Sequence, residues 1–351
     1  MSDRLYERIY DGRLERNDIE ELLSLSEGEL FRIADDLRRS SVGDVVTYVV
    51  NRNINFTNRC IGNCKFCAFR KDNGYTLSQK EILLKVERAE KLGITEICLQ
   101  GGLIKGWGVD QYVGILDAIK SEYPEVHLHA FSPMEVLHAA KNSKLPVEEV
   151  LSRLKSAGLG SMPGTAAEIL SDRVRAIICP GKLTSSEWIE VVMTAHRLGI
   201  PTTATMMFGH VETERERLEH IFTIKEIQDE TGGFTEFVPL PFVGGNTELE
   251  SYKNQLTTVD QIKVHALARI ILHRSVRNIQ ASWVKLGPGT ACMLLLHGVN
   301  DLGGTLIEEN ISRSAGSSFG EYMPPDVFDA LIRSAGRIPK QRTTLYEILS
   351  A

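Results

Sequence analysis

Apolar residues in the first part of the chain recur every three or four positions, which is the spacing of an amphipathic helix. Ser26 and Glu29 form a capping-box pattern in front of the longest such run, and Gly43 follows its end. Residues 1–45 are therefore predicted to be an N-terminal helical extension. Residues 46–351 are predicted to form the main domain, which ends in a C-terminal helical segment and tail.

Beyond residue 45, β-rich runs alternate with helical segments. The β-rich runs cover residues 45–56, 94–100, 126–131, 159–162, 200–208, 234–240 and 278–284. Strands separated by helices of crossover length predict an α/β fold with a parallel sheet. Right-handed connections close such a sheet most simply into a full or partial (β/α) barrel of the TIM type. A doubly wound open sheet is the alternative, and it is disfavoured because no GxGxxG follows the first strand.

Three cysteines follow the first β-rich run in the order Cys60-Ile-Gly-Asn-Cys64-Lys-Phe-Cys67. Thiolates select zinc, copper(I) or iron–sulfur centres. Three thiolates this close in sequence converge only if the chain wraps tightly, and Gly62 and Asn63 tolerate the backbone conformations that such a wrap requires. An electron-carrying cluster commonly has four thiolate ligands, so three thiolates leave one iron open. The motif therefore predicts that these three cysteines are metal ligands.

Composition and charge exclude several classes of protein. Hydrophobic residues make up 42% of the chain and charged residues 25%, which is the balance of a globular domain. The net charge of −6 argues against nucleic-acid binding, which favours a basic surplus. No apolar run is long enough to span a bilayer, and the charged first residues do not resemble a secretion signal, so a cytoplasmic location is expected. In that location six cysteines indicate metal or catalytic use rather than disulfides.

A structural zinc site is the simplest competing explanation of the cysteines. A Cys₃His site needs a histidine near the motif, and the first histidine after it is His127. The remaining cysteines, Cys98, Cys179 and Cys292, stand alone in the sequence and are expected to pack as small apolar side chains.

With the aromatic Phe66 directly before its last cysteine, the motif resembles the CxxxCxΦC signature of the radical S-adenosylmethionine (SAM) superfamily. The resemblance implies a [4Fe–4S] cluster whose open iron binds SAM at the mouth of a (β/α) barrel. It also implies SAM contacts for residues in the cluster loop and near strand ends, namely Phe66, Gln100, Gly101, Gly102, Met207 and Gly209. In the segment that contains the last two, Thr205 replaces the first glycine of the superfamily pattern, which leaves the local contact with the adenine open.

Longer blocks of sequence narrow the resemblance to one family. They are HAFSPMEV (129–136), GLGSMPGTAAEIL (158–170), FVPLPF (237–242), NIQASWVKLG (278–287), NDLGGTLIEENISRSAG (300–316) and QRTTLYE (341–347). Together they resemble the 5-amino-6-(D-ribitylamino)uracil–L-tyrosine 4-hydroxyphenyl transferases, the tyrosine-cleaving subunits of 7,8-didemethyl-8-hydroxy-5-deazariboflavin synthase. One departure is QGGLIKGW (100–107), which lacks an expected proline two residues beyond Leu103.

This resemblance implies a radical transferase reaction in the biosynthesis of the deazaflavin coenzyme. An electron from the cluster cleaves SAM to methionine and a 5′-deoxyadenosyl radical, which takes hydrogen from the tyrosine amine. The Cα–Cβ bond of tyrosine breaks, 2-iminoacetate leaves, and the 4-hydroxybenzyl group adds to the ribitylaminouracil. An external reductant supplies the electron. A second radical SAM subunit is implied, because this chain has a single CxxxCxxC motif.

Polar residues near the predicted strand ends are candidates for contact with the substrates. Ser132, Gln280 and Asp301 are predicted to be catalytic residues, and Gln280 shares a strand face with Ser282. An amide such as Gln280 can satisfy the donor and acceptor edge of a uracil. Two other functions stay open. A radical SAM enzyme of futalosine-route menaquinone synthesis (cyclase or aminofutalosine synthase) shares much of the pattern, whereas a non-catalytic iron–sulfur electron carrier would not cleave SAM.

Overall fold

Parallel β-strands form the centre of the computed structural model, which describes residues 3–252 and 255–349. The strands in these residues are Val45–Val49 (β1), Asn51–Asn55 (β2), Glu96–Gln100 (β3), His127–Ala130 (β4), Thr202–Phe208 (β5), Phe234–Pro241 (β6), Asp301–Gly304 (β7) and Ile338–Arg342 (β8). Every pairing between these strands is parallel.

The strands join into a closed ring around one interior. β1 and β2 follow one another along the chain, β2 pairs with β3, β3 with β4, and β5 with β6. Single bridges supply the missing links: His129 to Ser161, Met162 to Thr202, Phe237 to Ile279, and Gln280 to Asp301. Pairing of β1 with β7 closes the ring. The predicted (β/α) barrel is therefore confirmed.

Some strands differ from the sequence prediction. The predicted strands at 159–162 and 278–284 each reduce to two bridged residues. Pro163 has no N–H with which to extend the first, and the second is cut short because a helix begins at Trp283. The last strand predicted from the sequence ends at residue 284, but β7 and β8 follow it. Two glycines in β7 and a proline in β8 weaken the sequence signal of these short strands.

Helices precede, connect and follow the strands. They are Asp3–Asp11 (α1), Ile19–Leu23 (α2), Glu27–Val42 (α3), Gln79–Glu90 (α4), Val109–Glu122 (α5), Pro133–Ser143 (α6), Val147–Ser156 (α7), Asp172–Ile178 (α8), Ser185–Arg197 (α9), Glu214–Thr231 (α10), Thr258–Ile271 (α11), Trp283–Leu286 (α12), Pro288–Leu294 (α13), Ile311–Ser314 (α14) and Pro325–Ser334 (α15). Within the described ranges, none of the helices combines the length and the apolar character that a membrane span needs.

The N-terminal helices pack into the same hydrophobic core as the barrel. α3 begins with the predicted capping box, in which the N–H of Ser26 donates to Glu29 Oε2 at 3.2 Å and the N–H of Glu29 donates to Ser26 Oγ at 3.4 Å. Leu30, Ile33 and Leu37 are buried on the inner side of α3, which packs against α11. Burial of each of these side chains contributes about 1.5–3 kcal/mol, so this helix is held mainly by its contact with the barrel domain.

The C-terminal tail closes the amino-terminal end of the barrel. β8 pairs with β1 along Val45–Val49. β2, which continues from β1 along the chain, pairs with β3 instead. At the end of β8, Arg342 reaches Asp301 inside the barrel, and Tyr346 donates to Glu236 on β6. These contacts fill the interior at this end. The cysteine motif follows β2, so it lies at the opposite end, where the strands of a (β/α) barrel carry their active site.

Candidate active site

A cavity of about 350 Å³ opens at the carboxyl ends of the strands. One part of its wall consists of the cysteine loop after β2 and the ends of β3 and β4, and another consists of the end of β6, helix α12 and residues 309–315. Cys60, Cys64 and Cys67 all line it. The three predicted ligands thus face one enclosed space, as a shared centre requires.

Backbone contacts hold the cysteine loop in place. The Cys60 Sγ accepts the N–H of Gly62 at 3.2 Å and the N–H of Leu103 at 3.3 Å. Burial raises the pKa of the Cys64 thiol. A thiolate ligand is stabilised by such N–H donors, and a bound cation opposes the effect of burial because it favours the thiolate. The loop therefore suits a metal centre that holds its sulfurs deprotonated.

The geometry suits a cluster rather than one ion. In residues 3–252 and 255–349, no three His, Cys, Asp or Glu side chains are set as ligands of a single metal ion. A cluster asks for a different arrangement, because each thiolate binds its own iron. Cys60, Cys64 and Cys67 would hold three irons of a [4Fe–4S] cluster in this way, and the fourth iron would take SAM.

Two glycines after β3 allow the loop to pack closely. A Cβ on Gly102 would lie 2.2 Å from the carbonyl oxygen of Arg59, and a Cβ on Gly101 would lie 2.6 Å from the ring of Phe56. Both glycines also line the cavity. The sequence predicts them as SAM contacts, and that role stays a prediction. Their packing against the base of the cysteine loop is a second reason for glycine that sequence reasoning missed.

Glu168 and Lys182 form a buried ion pair beside the cluster loop. Lys182 Nζ lies 2.6 Å from Glu168 Oε1 and 5.3 Å from the centre of the Phe66 ring. Burial alone would lower the pKa of Lys182, but the Glu168 carboxylate and the thiols of Cys64 and Cys179 raise it above its ordinary value. Lys182 is therefore a fixed positive charge next to the cluster ligands. Glu168 lies in the block GLGSMPGTAAEIL (158–170) and Lys182 lies outside it, so no local pattern in the sequence indicates the pair.

A second buried carboxylate, Glu135, lies below the Gly101 backbone. Its Oε1 accepts the N–H of Gly101 at 3.1 Å, and its Oε2 accepts the N–H and the Oγ–H of Ser132, each at 2.7 Å. Burial raises the pKa of Glu135 to about 7. Ser132 caps α6 through these contacts, so its hydroxyl already has an acceptor.

Comparison with known proteins identifies the family. Residues 54–224 match the Radical SAM superfamily, and residues 231–351 match the CofH/MqnC C-terminal region. The 5-amino-6-(D-ribitylamino)uracil–L-tyrosine 4-hydroxyphenyl transferase 1 of Methanosarcina acetivorans is 57% identical over 351 residues, 99% of this chain and 94% of that protein. The corresponding transferase of Archaeoglobus fulgidus is 58% identical over 321 residues, 92% of this chain and 94% of that protein. The chain belongs to this family.

Membership confirms the cofactors predicted for this transferase-family chain, a [4Fe–4S] cluster and SAM. Solved structures show the same fold at low identity. Methylornithine synthase (PylB) has a TM-score of 0.73 at 17% identity, covering 95% of this chain and 96% of that chain. HydG, a maturase of the [FeFe]-hydrogenase, has a TM-score of 0.75 at 14% identity, covering 97% of this chain and 77% of that chain.

The transferase fold brings most of the predicted site residues together. Those that line the cavity are Cys60, Cys64, Phe66, Cys67, Gln100, Gly101, Gly102, Ser132 and Met207. Gly209, Gln280 and Asp301 do not line it. Gly209 has a φ of 93° and donates its N–H to Glu212 at 2.6 Å, so it shapes the turn after β5. Gln280 follows Ile279, which bridges to Phe237 on β6, and its side chain packs over Gly303.

Asp301 lies in the closed part of the barrel interior. It is fully buried, and its carboxylate accepts two hydrogen bonds from Arg342, at 2.6 and 3.0 Å. The Asp301 side chain therefore does not reach the cavity, and the structure does not support its predicted catalytic role. Asp301 lies within the block at 300–316, and nothing local in that block indicates its partner, which lies 41 residues further along the chain.

Proposed function

We propose that this chain cleaves L-tyrosine between Cα and Cβ and joins the 4-hydroxybenzyl group to 5-amino-6-(D-ribitylamino)uracil. The observation that carries the proposal is identity of 50–58% with curated transferases of that name over nearly the whole chain. The match of residues 231–351 to the CofH/MqnC C-terminal region does not distinguish the transferase from the second family in that name. The named relatives therefore favour the transferase.

The protein's own part in the reaction is to hold the reactants and keep water away from them. When bound, the cluster supplies the electron that cleaves SAM. Cys60, Cys64 and Cys67 hold the cluster, and the Glu168–Lys182 pair keeps a fixed charge beside it. The C-terminal tail fills the barrel interior at the end away from the cysteine loop, which helps to keep bulk water from the site.

The ribitylaminouracil is proposed to lie over the polar interior of the barrel. Asn53 and Asn55 share a strand face with Gln100 on the paired strand, and the side-chain oxygens of both asparagines are buried without a partner among the described residues. Neither asparagine lines the main cavity; both line a smaller pocket with Tyr75 and Lys85. A polyhydroxylated chain can supply donors to such oxygens. Gln280 does not line the cavity, but its side chain packs over Gly303 of β7, and it stays our candidate for the uracil edge. For Ser132 and Asp301 we propose positioning and structural roles instead of catalysis.

The products are proposed to pass to a second enzyme. The 4-hydroxybenzyl adduct still needs an oxidative ring closure to become a deazaflavin, and this chain carries one cluster motif. We therefore propose a separate radical SAM subunit as the consumer of the product and an external reductant as the source of electrons.

Labelled tyrosine tests the proposal. Reconstituted, reduced protein with SAM, the ribitylaminouracil and Cα-labelled tyrosine should yield labelled glyoxylate, because 2-iminoacetate hydrolyses in water. Ring-labelled tyrosine should label the uracil adduct. The Cys64→Ala variant is the control and should form neither product nor 5′-deoxyadenosine. Active protein that cleaves SAM but leaves both labels in tyrosine would reject the transferase and leave the radical SAM class intact.

A further inference from the structure

Lys285 is a cation in the cavity that has no partner in the described part of the protein. It lies on α12 and lines the cavity, yet its ammonium makes no hydrogen bond or ion pair with any described residue. The other cations that line the cavity are partnered: Lys182 pairs with Glu168, and Arg70 donates to the carbonyl of Gly62. A half-buried ammonium that forms no ion pair or hydrogen bond is unfavourable, so Lys285 can accept an anionic group of a ligand.

Lys285 belongs to a different segment of the cavity wall from the cysteine loop, because it lies on α12. The lining also includes Phe242 of the loop after β6 and Glu309 and Ser312 of the segment after β7. Burial lowers the pKa of Lys285, and the carboxylates of Glu309, then Glu168, oppose this shift. No cysteine thiol contributes to it, in contrast to Lys182. SAM would bind at the open iron of a cluster held by Cys60, Cys64 and Cys67, so the wall around Lys285 is left for a second reactant.

Glu309 completes a site of mixed charge. Its side chain is buried, and its Oε1 accepts the N–H of Ile311 at 3.1 Å and of Ser312 at 3.0 Å, which fixes the carboxylate at the cavity wall. One fixed anion and one free cation on the same wall complement an α-amino acid, whose ammonium and carboxylate are adjacent.

We propose that Lys285 binds the carboxylate of the tyrosine substrate and so places its amine and Cβ toward the cluster side of the cavity. This inference rests on the proposed function and deepens it. The uracil reactant carries no carboxylate, and the SAM carboxylate is used at the cluster. Tyrosine is therefore the reactant whose carboxylate is available to pair with Lys285.

Equilibrium dialysis with labelled ligands tests the role without turnover. The reconstituted, unreduced holoenzyme with SAM should bind tyrosine at least about tenfold more tightly than tyramine, which lacks the carboxylate. Lys285→Met should lose about tenfold or more in tyrosine affinity and bind the two ligands about equally. Lys285→Arg, which keeps the charge, should retain a preference for tyrosine. Lys80→Met, which removes an exposed lysine from α4, should behave as the wild type.

The outcomes separate this inference from the proposed function. Wild-type holoenzyme that binds tyramine as tightly as tyrosine overturns the role of Lys285, even if the Lys285→Met protein fails to fold. So does a Lys285→Met variant that keeps the preference for tyrosine, or one that loses affinity for SAM or for the ribitylaminouracil instead. Wild-type protein that binds no tyrosine at all contradicts the proposed function itself.

Discussion

The buried pair between Asp301 and Arg342 gives a sharp test of how this barrel is closed. Asp301 is fully buried and Arg342 nearly so, and the guanidinium donates to both carboxylate oxygens, at 2.6 and 3.0 Å. The N–H of Gly303 and the hydroxyl of Thr47 also donate to this carboxylate. We predict that Asp301→Asn destabilises the protein strongly, because it removes the closer of the two carboxylates beside the buried arginine; the other, Glu236, lies 3.5 Å away.

The size of the effect follows from the geometry. Removal of one partner of a buried, hydrogen-bonded ion pair destabilises by about 3–5 kcal/mol. Unfolding entropy of about 2.1 cal/mol/K per residue makes each kcal/mol equivalent to about 1.4 °C in a chain of 351 residues. The melting temperature of Asp301→Asn should therefore fall by about 4–7 °C. Thermal unfolding followed by circular dichroism, on anaerobic protein with matched cluster content, measures it.

Two controls show whether the lost pair is the cause. The double variant Asp301→Leu with Arg342→Met removes both charges, so it should recover much of the lost stability. Asp36→Asn breaks an exposed pair with Arg32 on α3 and should change the melting temperature by less than about 1 °C. Asp301→Asn with unchanged melting temperature but no product would refute this reasoning and restore the catalytic role predicted from the sequence.

Three further predictions concern the loop, an isolated cysteine and a buried carboxyl. Gly102→Ala should lower iron content on reconstitution, because its Cβ meets the Arg59 carbonyl at 2.2 Å, whereas Gly28→Ala in open space should not. Cys179→Ser should retain the cluster, since burial raises the pKa of that thiol to about 12 and keeps it protonated; loss of the cluster would show that it is a ligand. Burial, reinforced by Asp301, raises the pKa of Glu236 to about 7. The folded protein thus binds this proton more tightly than the unfolded chain, so stability falls as the pH rises through about 7. Glu236→Gln should flatten the fall in melting temperature between pH 5 and 8, and an unchanged pH slope would contradict it.

Features that depend on local spacing were predictable from the sequence. Cys60, Cys64 and Cys67 lie within one loop, so their spacing alone limits the centres they can hold. The capping box of Ser26 and Glu29 is local for the same reason, since its partners are three residues apart. Alternation of strands and helices predicted the barrel, because each unit repeats the same short-range pattern.

The tertiary structure decided what depends on register across the barrel. The bridge of Gln280 to Asp301 and the pairing of β8 with β1 bring together residues far apart in sequence, and no local pattern specifies that alignment. Because of this alignment, Asp301, which the sequence predicts to be catalytic, pairs with Arg342. The same packing places Lys285 of α12 on the cavity wall, where it forms no ion pair with any described residue. Local sequence specifies which chemistry a loop can perform, whereas strand register and the packing of the tail determine which charged groups meet and which are left free for a substrate.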